Sequence, residues 1–268
     1  MFNLTAILTA FLVVAGVGLV LGVLLALFTH FFGIEDDPKV KAVRGALPGA
    51  NCGACGFKGC DDYAKAVAEG RAAPNLCIPG GADTVAALSD ILGVQAEAAA
   101  PKVAFVHCNG VCEATSPKAE YDGMKTCRAE GMVFGGPGSC VYGCIGCGDC
   151  VNVCPADAIC IVNGIAHIDP RACIGCSQCV KTCPKHIISM VPKDAVVANF
   201  CSNKEKGADA RKNCKNACIG CKKCEKTCPN GAITVIDNNA VVDYEKCTHC
   251  GACAAACPTG CLKAVNFQ

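Results

Sequence analysis

Cysteine is the residue type best placed to do chemistry in this chain, since 28 of the 268 residues are cysteines. Sixteen of them form four copies of the pattern C-x2-C-x2-C-x3-C, and proline directly follows each copy. Three closely spaced thiolates can hold three irons of one [4Fe-4S] cube, while the fourth, next to proline, ligates the other cube of a pair. The copies are Cys144, Cys147, Cys150 and Cys154; Cys173, Cys176, Cys179 and Cys183; Cys218, Cys221, Cys224 and Cys228; and Cys247, Cys250, Cys253 and Cys257.

The exchange of fourth ligands within each pair predicts four clusters. The second copy of a pair starts 29 residues after the first, and the second pair starts 74 residues after the first pair. Such regular spacing indicates a duplicated unit. We therefore predict two tandem two-cluster modules of the bacterial ferredoxin type, over residues 141–195 and 196–268. Their ligand sets would be Cys144, Cys147, Cys150 and Cys183; Cys173, Cys176, Cys179 and Cys154; Cys218, Cys221, Cys224 and Cys257; and Cys247, Cys250, Cys253 and Cys228.

Two other roles for these sixteen cysteines, disulfide bonds and structural zinc, fit the sequence less well. A high cysteine content in a short secreted chain indicates a disulfide scaffold, but the N-terminal segment is not typical of an export signal. Structural zinc usually takes two separated C-x2-C pairs, whereas here a triplet is followed by a ligand for another site. Iron–sulfur clusters fit both the spacing and the proline.

A fifth [4Fe-4S] cluster is predicted in a small helical domain over residues 35–94. Its ligands would be Cys52, Cys55, Cys60 and Cys77, and the glycines between the first three allow the backbone to fold around a cluster. Residues 61–69 have helix-forming composition with Gly70 as the stop, and a second helix is expected over residues 84–92 with Asp83 as its N-cap.

Residues 95–140 are expected to be a linker followed by a cysteine-containing segment. Cys108, Cys112, Cys127 and Cys140 could hold a sixth cluster. Alternatively, Cys140 helps to ligate the cluster that begins at Cys144 and leaves the other three thiols with another role. Buried thiols often act as small hydrophobic side chains, which is the interpretation for the remaining cysteines: Cys160, Cys201, Cys214 and Cys261. Five or six clusters are therefore expected.

Residues 1–34 contain no Asp, Glu, Lys or Arg, and the run from Leu4 to Phe32 is long enough to cross a bilayer. A cleaved signal peptide would have a basic start and a shorter apolar stretch. We predict a single transmembrane helix. Because Lys39, Lys41 and Arg44 follow it and no basic residue precedes it, the cysteine-rich part should be cytoplasmic.

Hairpins are predicted between the motifs of each pair. Residues 159–162 and 165–168 alternate around Asn163-Gly164, a pair typical of a type I′ turn. Residues 233–236 and 240–242 flank a turn at residues 237–239. The fold class is therefore α+β, with short helices and hairpins built around clusters that replace much of the apolar core.

The order of these features resembles the iron–sulfur B subunit of the Rnf complex. The resemblance rests on the apolar anchor, the loop LPGANCGACGFKGC over residues 47–60, the segment CNGVC over residues 108–112, the GGPG of residues 135–138 and the repeated C-P motifs. It implies a membrane-bound, ion-pumping ferredoxin:NAD+ oxidoreductase (a translocase). In such a complex this subunit takes electrons from reduced ferredoxin and passes them to membrane and flavin-bearing subunits.

The residues alone indicate electron transfer. No G-x-G-x-x-G opens a soluble strand-turn-helix unit, so pyridine nucleotide is expected to bind another subunit. No nucleophile and base pair suggests a catalytic residue, and nothing points to nucleic acid. The alternatives are an electron-transfer subunit of another membrane reductase or hydrogenase, and a redox sensor or metal-storage protein.

The formal net charge of +1 counts every cysteine as neutral. Each oxidised [4Fe-4S] cluster with four thiolates carries a charge of about −2, so a ferredoxin and this chain both become acidic on cluster binding. One segment is nevertheless basic and could attract ferredoxin, or could simply balance the local cluster charge. Its basic residues are Lys204, Lys206, Arg211, Lys212, Lys215, Lys222, Lys223 and Lys226.

Overall fold

The computed structural model describes residues 4–32 and 37–267. The chain forms two compact units, Met1–Lys41 and Ala42–Gln268. The first unit contains helix α1 (Leu4–Phe32), whose window Phe11–Phe28 has a mean hydropathy of 2.9 and is wholly unburied. By length and composition, α1 could cross a membrane, as the sequence predicts.

Three helices lie in the segment that contains the first four cysteines: α2 (Pro38–Ala46), α3 (Cys60–Ala68) and α4 (Gly81–Leu92). Helix α3 ends before Gly70, which has a φ of 75°, as expected for a glycine stop. Helix α4 begins three residues before the predicted start, because the Thr84 amide already donates a helical bond to the Gly80 carbonyl at 3.3 Å. Asp83 therefore lies in the first turn and is not the N-cap.

The following residues form two halves with the same strand pairing. The first half has two antiparallel sheets, β1–β4 and β2–β3, and the second has β5–β8 and β6–β7. The first half contains β1 (Lys102–Val106), α5 (Cys127–Met132), α6 (Asp149–Asn152), β2 (Ile159–Val162), β3 (Ile165–Ile168), α7 (Gln178–Thr182) and β4 (Ile188–Pro192). The second contains β5 (Val197–Asn199), α8 (Gly207–Asn213), α9 (Lys223–Thr227), β6 (Ile233–Ile236), β7 (Asn239–Val242), α10 (Ala252–Ala256) and β8 (Leu262–Ala264).

Strand β1 lies in the segment that the sequence assigned to a linker. It pairs with β4 from Lys102↔Pro192 to Val106↔Ile188. The first half therefore starts well before the predicted boundary at residue 141. The residues between β1 and the first motif form a long insertion within it. No local pattern indicates this pairing, since the partner strand is more than eighty residues away.

Both predicted hairpins are confirmed. Asn163 and Gly164 have φ values of 50° and 80°, which suits a two-residue type I′ turn. The second turn is one residue shorter than expected, because Asp237 and Asn238 take the two left-handed positions with φ values of 49° and 61°. Asn239 is thereby released to pair with Ile236 in the ladder.

The two halves pack through β1. Alternate side chains of a strand point to opposite faces, and β1 is buried on both. Ala104 and Val106 pack inside the first half. Val103 and Phe105 pack instead against residues near β5 and the C-terminal segment. The Phe105 ring lies edge-on to Phe200 at 4.8 Å and to Phe267 at 5.8 Å.

Candidate iron–sulfur sites

The loop of residues 47–60 and the start of α3 bring the first four thiols together. Burial raises the pKa of Cys77, and the nearby thiols of Cys60, Cys55 and Cys52 raise it further, so these three thiols lie near Cys77. The Cys60 amide donates to the Asn51 Oδ1 at 2.8 Å, which holds the loop on the first turn of α3. Four cysteine thiols are the donor set that a [4Fe-4S] cluster takes.

Tyr63 fixes the chain that delivers Cys77 to this site. Its hydroxyl donates to the Ala73 carbonyl at 2.8 Å and accepts from the Leu76 amide at 3.3 Å. Burial raises the pKa of Tyr63 to about 12, so it stays a neutral donor. The side chain is almost completely buried. Tyr63 thus ties α3 to the segment that precedes Cys77.

The first half holds the first pair of motifs in crossed order. The pKa of Cys150 is raised to about 12 by burial, and then by Cys144, Cys127 and Cys183. Cys183 therefore lies near the first triplet. The pKa of Cys179 is raised to about 11 by burial and then by the thiols of its own triplet and of Cys154. The structure thus places each fourth cysteine beside the other triplet.

The second half repeats this arrangement. The pKa of Cys224 is raised to about 11 by burial, and thiols of Cys218, Cys221 and Cys257 lie close to it. Burial also raises the pKa of Cys253, with Cys228 and Cys247 nearby. Cys221 and Cys250 are exposed. The second pair of sites is therefore closer to solvent than the first.

Left-handed backbone positions curl each triplet around its site. The residue after the second cysteine of every triplet has a positive φ: Gly148 (85°), Ser177 (60°), Lys222 (57°) and Gly251 (73°). Each of them caps a short helix that carries the third cysteine. The residue before the second cysteine is also left-handed: Gly146, Gly175, Gly220 and His249. Two such positions within four residues turn the chain so that its thiols converge.

Amide groups point at several sulfurs. The Ala158 amide donates to Cys154 Sγ at 3.4 Å, and the Ala232 amide donates to Cys228 Sγ at 3.3 Å. The second contact lies 74 residues after the first along the chain, which is the offset between the two pairs of motifs. The Ala104 amide of β1 donates to Cys173 Sγ at 3.5 Å. Hydrogen bonds of this kind favour the thiolate and are one of the ways in which a protein sets a cluster potential.

The predicted set Cys108, Cys112, Cys127 and Cys140 is not brought together as one group. Cys127, at the start of α5, lies beside Cys144, Cys147 and Cys150. Asp149 holds it there by accepting from the amides of Cys127 at 3.1 Å and Arg128 at 3.2 Å.

Cys112 is exposed near the β2–β3 turn, where its amide donates to the Asn163 carbonyl at 3.2 Å. Cys108 and Cys140 line a different cavity, together with Cys201 and Cys214.

Sequence reasoning missed two further placements. Cys261 is buried within 3.6 Å of the sulfur of Cys257 and hydrogen bonds to Cys218. Cys160 is not a buried hydrophobic side chain as expected, because it is exposed on β2 opposite His167. The 74-residue repeat offered a signal for Cys261, which occupies the position of Ile187 in the first half.

The first site adjoins the first pair. The Gln178 side chain donates to the Cys52 carbonyl, and Cys52 is among the thiols that raise the pKa of Cys176, after the larger effect of burial. The site around Cys52 therefore lies against the triplet that starts at Cys173. Cys154 lies near that triplet and Cys183 lies near the triplet starting at Cys144, so three predicted sites follow one another.

Comparisons with known proteins match the cysteine-rich segments to iron–sulfur families. A family model for an Fe-S cluster matches residues 47–79. A model for the 4Fe-4S dicluster domain matches residues 143–187 and 217–261, and a second dicluster model matches residues 172–232.

Three relatives cover most of the chain. The B subunit of the Na(+)-translocating ferredoxin:NAD(+) oxidoreductase complex of Acetobacterium woodii is 44% identical over 90% of this chain and 74% of its own length. The proton-translocating counterpart of Clostridium ljungdahlii is 42% identical over 74% and 70%. The B subunit of the ion-translocating oxidoreductase complex of Methanosarcina acetivorans is 36% identical over 88% and 90%. With this identity and coverage, the chain belongs to the family of iron–sulfur B subunits of ion-translocating ferredoxin:NAD+ oxidoreductase (Rnf) complexes.

Proposed function

We propose that this chain is the membrane-anchored electron-transfer subunit of an Rnf complex, taking electrons from reduced ferredoxin and relaying them to membrane and flavin-bearing subunits. The observation that carries this proposal is the crossed placement of Cys154, Cys183, Cys228 and Cys257 beside the triplets of their partner motifs. Only three residues separate Cys150 from Cys154 and Cys224 from Cys228, so the two clusters of each pair would lie close together. The names of the relatives support the same role.

Five [4Fe-4S] clusters are proposed at the ligand sets predicted from the sequence. When bound, each supplies a one-electron redox centre. The chain's own residues hold the thiols, and the amides of Ala158, Ala232 and Ala104 favour the ionised sulfurs. Of these twenty thiols, eight are buried, ten are half-buried and two are exposed, so the protein would shield the centres from water only in part. This chain would carry no pyridine nucleotide of its own.

Helix α1 is proposed as a single membrane span, with the cysteine-rich unit on the cytoplasmic side. Its exposed side chains are apolar along the window Phe11–Phe28. Lys39 and Lys41 follow on α2 and are exposed, which suits the positive-inside rule. The cytoplasm is also where soluble ferredoxin and pyridine nucleotide would be met.

Reduced ferredoxin is proposed to dock on the basic surface formed by Lys222, Lys223 and Lys226. All three side chains are exposed, and they lie at the N-cap, the first residue and the last turn of α9. The same helix carries Cys224, and the exposed Cys221 lies two residues before its start. An acidic partner attracted to these lysines would therefore be held close to a predicted ligand set.

Charge reversal at Lys222, Lys223 and Lys226 tests the docking site. We expect the bimolecular rate of ferredoxin oxidation by the Lys222→Glu, Lys223→Glu, Lys226→Glu variant to fall at least about tenfold at low ionic strength. The wild-type rate should fall as salt rises, since the Debye length shrinks from about 10 Å at 0.1 M to about 3 Å at 1 M. Stopped-flow absorbance and iron content measure the two properties separately.

Lys181→Glu is the matched control. Lys181 occupies in α7 the position that Lys226 occupies in α9, also two residues after the third cysteine of a triplet. It should leave the rate near that of the wild type. If the triple variant keeps a normal, salt-independent rate, ferredoxin docks elsewhere, at the first half or at the site around Cys52.

Turnover of the assembled complex tests the function itself. Membranes containing the complex should form NADH from reduced ferredoxin and NAD+, and membranes lacking only this chain should not. Hydrogen evolution or reduction of another acceptor in place of NAD+ would favour the alternative reductase or hydrogenase. Purification of the chain without any partner subunit, from cells that make them all, would favour a sensor or a metal store.

A further inference from the structure

Four thiols outside the five proposed ligand sets converge at the boundary between the two halves. Cys108 follows β1, Cys140 precedes the first motif, Cys201 follows β5 and Cys214 ends α8. All four line one cavity. Cys108 and Cys214 are buried, and Cys140 and Cys201 are half-buried.

The sulfurs of these residues are close together. A Cβ built on Gly110 would lie 3.4 Å from Cys108 Sγ and 3.8 Å from Cys214 Sγ, so the two sulfurs are no farther apart than the sum of those distances. Cys140 is near enough to interact electrostatically with the other three thiols. Gly110 leaves the space that a side chain would fill.

Two backbone amides of the first half point at the Cys108 sulfur. Cys108 Sγ accepts from the Gly110 amide at 3.4 Å and from the Cys144 amide at 3.3 Å. Sulfur is a weak acceptor as a thiol and a stronger one as a thiolate. Two amides on one buried sulfur therefore favour a ligand thiolate over a packed hydrophobic thiol.

The second half repeats the arrangement. Cys201 Sγ accepts from the Asn203 amide at 3.4 Å and from the Cys218 amide at 3.2 Å. Cys108 lies two residues after β1, and Cys201 lies two residues after β5. In each half, one donor is the amide two residues further along the chain. The other donor is the amide of the first cysteine of the motif, Cys144 or Cys218. The Asn203 side chain, only 1% exposed, also donates to Cys140 Sγ at 3.5 Å. One asparagine thus links two of the four sulfurs.

We propose that Cys108, Cys140, Cys201 and Cys214 ligate a sixth [4Fe-4S] cluster between the two halves. The set replaces Cys112 and Cys127 of the sequence prediction with Cys201 and Cys214. Structural zinc is a poorer match, because such sites take ligands in C-x2-C to C-x4-C pairs. Here the nearest two ligands along the chain, Cys201 and Cys214, are separated by twelve residues.

The position gives this cluster a role that rests on the proposed electron-transfer function. Cys144 and Cys218, whose amides contact Cys108 and Cys201, are the first ligands of the clusters on either side. The sixth cluster would therefore join the two halves into one path. Each transfer along it oxidises one cluster from 1+ to 2+ and reduces the next from 2+ to 1+, and no bond is made or broken.

Metal analysis of the full chain, purified without oxygen, tests the site without any assay of ferredoxin or NAD+. At about four irons per cluster, the wild type should hold about 24 irons and 24 sulfides. Cys214→Ser and Cys201→Ser should each lose one to four irons. Loss of one iron should be accompanied by a [3Fe-4S] EPR signal. Cys160→Ser and Cys112→Ser are the matched controls and should lose none.

Three outcomes would overturn the proposal: about 20 irons in the wild type and in both ligand variants, one zinc per chain that Cys214→Ser removes, or iron loss in Cys112→Ser but not in Cys214→Ser. If a ligand variant does not fold, Gly110→Val provides a second variant that fills the cavity and keeps all four thiols. It should also lose iron, while the EPR signals of the other clusters remain. Failure of the chain to oxidise ferredoxin would leave this metal count unaffected.

Discussion

At the scale of single residues, a cysteine outside the motifs changes the pKa of a cysteine within one of them. Cys261, whose sulfur lies 3.6 Å from that of Cys257, hydrogen bonds to Cys218 and lowers the pKa of the Cys218 thiol, while this hydrogen bond raises the pKa of Cys261. A donor to a ligand sulfur stabilises the more negative, reduced cluster and so raises its potential. The first half has Ile187 at the equivalent position, so the corresponding clusters of the two halves should differ in potential.

Replacement of this donor should lower one potential. Cys261→Val removes the S–H group at nearly constant volume, and we expect the Cys218 cluster to become more negative by a few tens of millivolts. This is about what one hydrogen bond of roughly 1 kcal/mol contributes to a one-electron couple. An EPR-monitored redox titration measures it. Cys261→Ser keeps a donor and should shift the potential less; equal shifts in both variants would contradict the hydrogen-bond explanation.

At the scale of elements, each hairpin rests on a glycine of the preceding triplet. A Cβ on Gly146 would lie 2.5 Å from the Gly164 carbonyl oxygen in the β2–β3 turn. A Cβ on Gly220 would lie 3.1 Å from the Asn238 backbone in the β6–β7 turn. The left-handed φ and the close approach both require glycine, so the turn and the cluster loop fold as one piece.

Gly146→Ala should therefore destabilise its site more than a matched glycine change. Gly251→Ala is the control, since Gly251 also has a positive φ but a Cβ added there would meet no atom within 4 Å. The control should lose about 1–2 kcal/mol from left-handed strain alone. Gly146→Ala should lose about 1–3 kcal/mol more from overpacking. Guanidinium midpoints of the visible cluster absorbance measure both, and equal midpoints would show that the turn can move away.

At the scale of the whole molecule, the predicted sites follow one another along the cysteine-rich unit. The site around Cys52 touches the triplet of Cys173, and the two pairs meet at the cavity of Cys108 and Cys201. Cys250, in the last of the four motifs, is exposed. Electrons that arrive at the basic surface of α9 would therefore have a path through both halves to the site around Cys52.

Deletion of residues 1–32 should release this unit in soluble form. The unit Ala42–Gln268 has its own buried cores, and α1 is the one described helix that is long and apolar enough to need lipid. We expect the truncated chain to keep its clusters and to stay in the supernatant after ultracentrifugation of cells that lack the partner subunits. A truncated chain that still sediments with membranes would reveal a second anchor.

Short-range sequence determined most of the chemistry. The triplet spacing, the prolines and the Asn-Gly turn act over a few residues, so the cluster loops, the hairpins and the apolar helix could be predicted directly. Only the tertiary structure decided which distant residues meet. Strand β1 pairs with β4 across a long insertion, and Cys127 lies beside the first triplet. Cys201 and Cys214 line the same cavity as Cys108 and Cys140. The two halves also meet where Phe105 packs against Phe200 and Phe267, and no local spacing encodes such packing between distant segments.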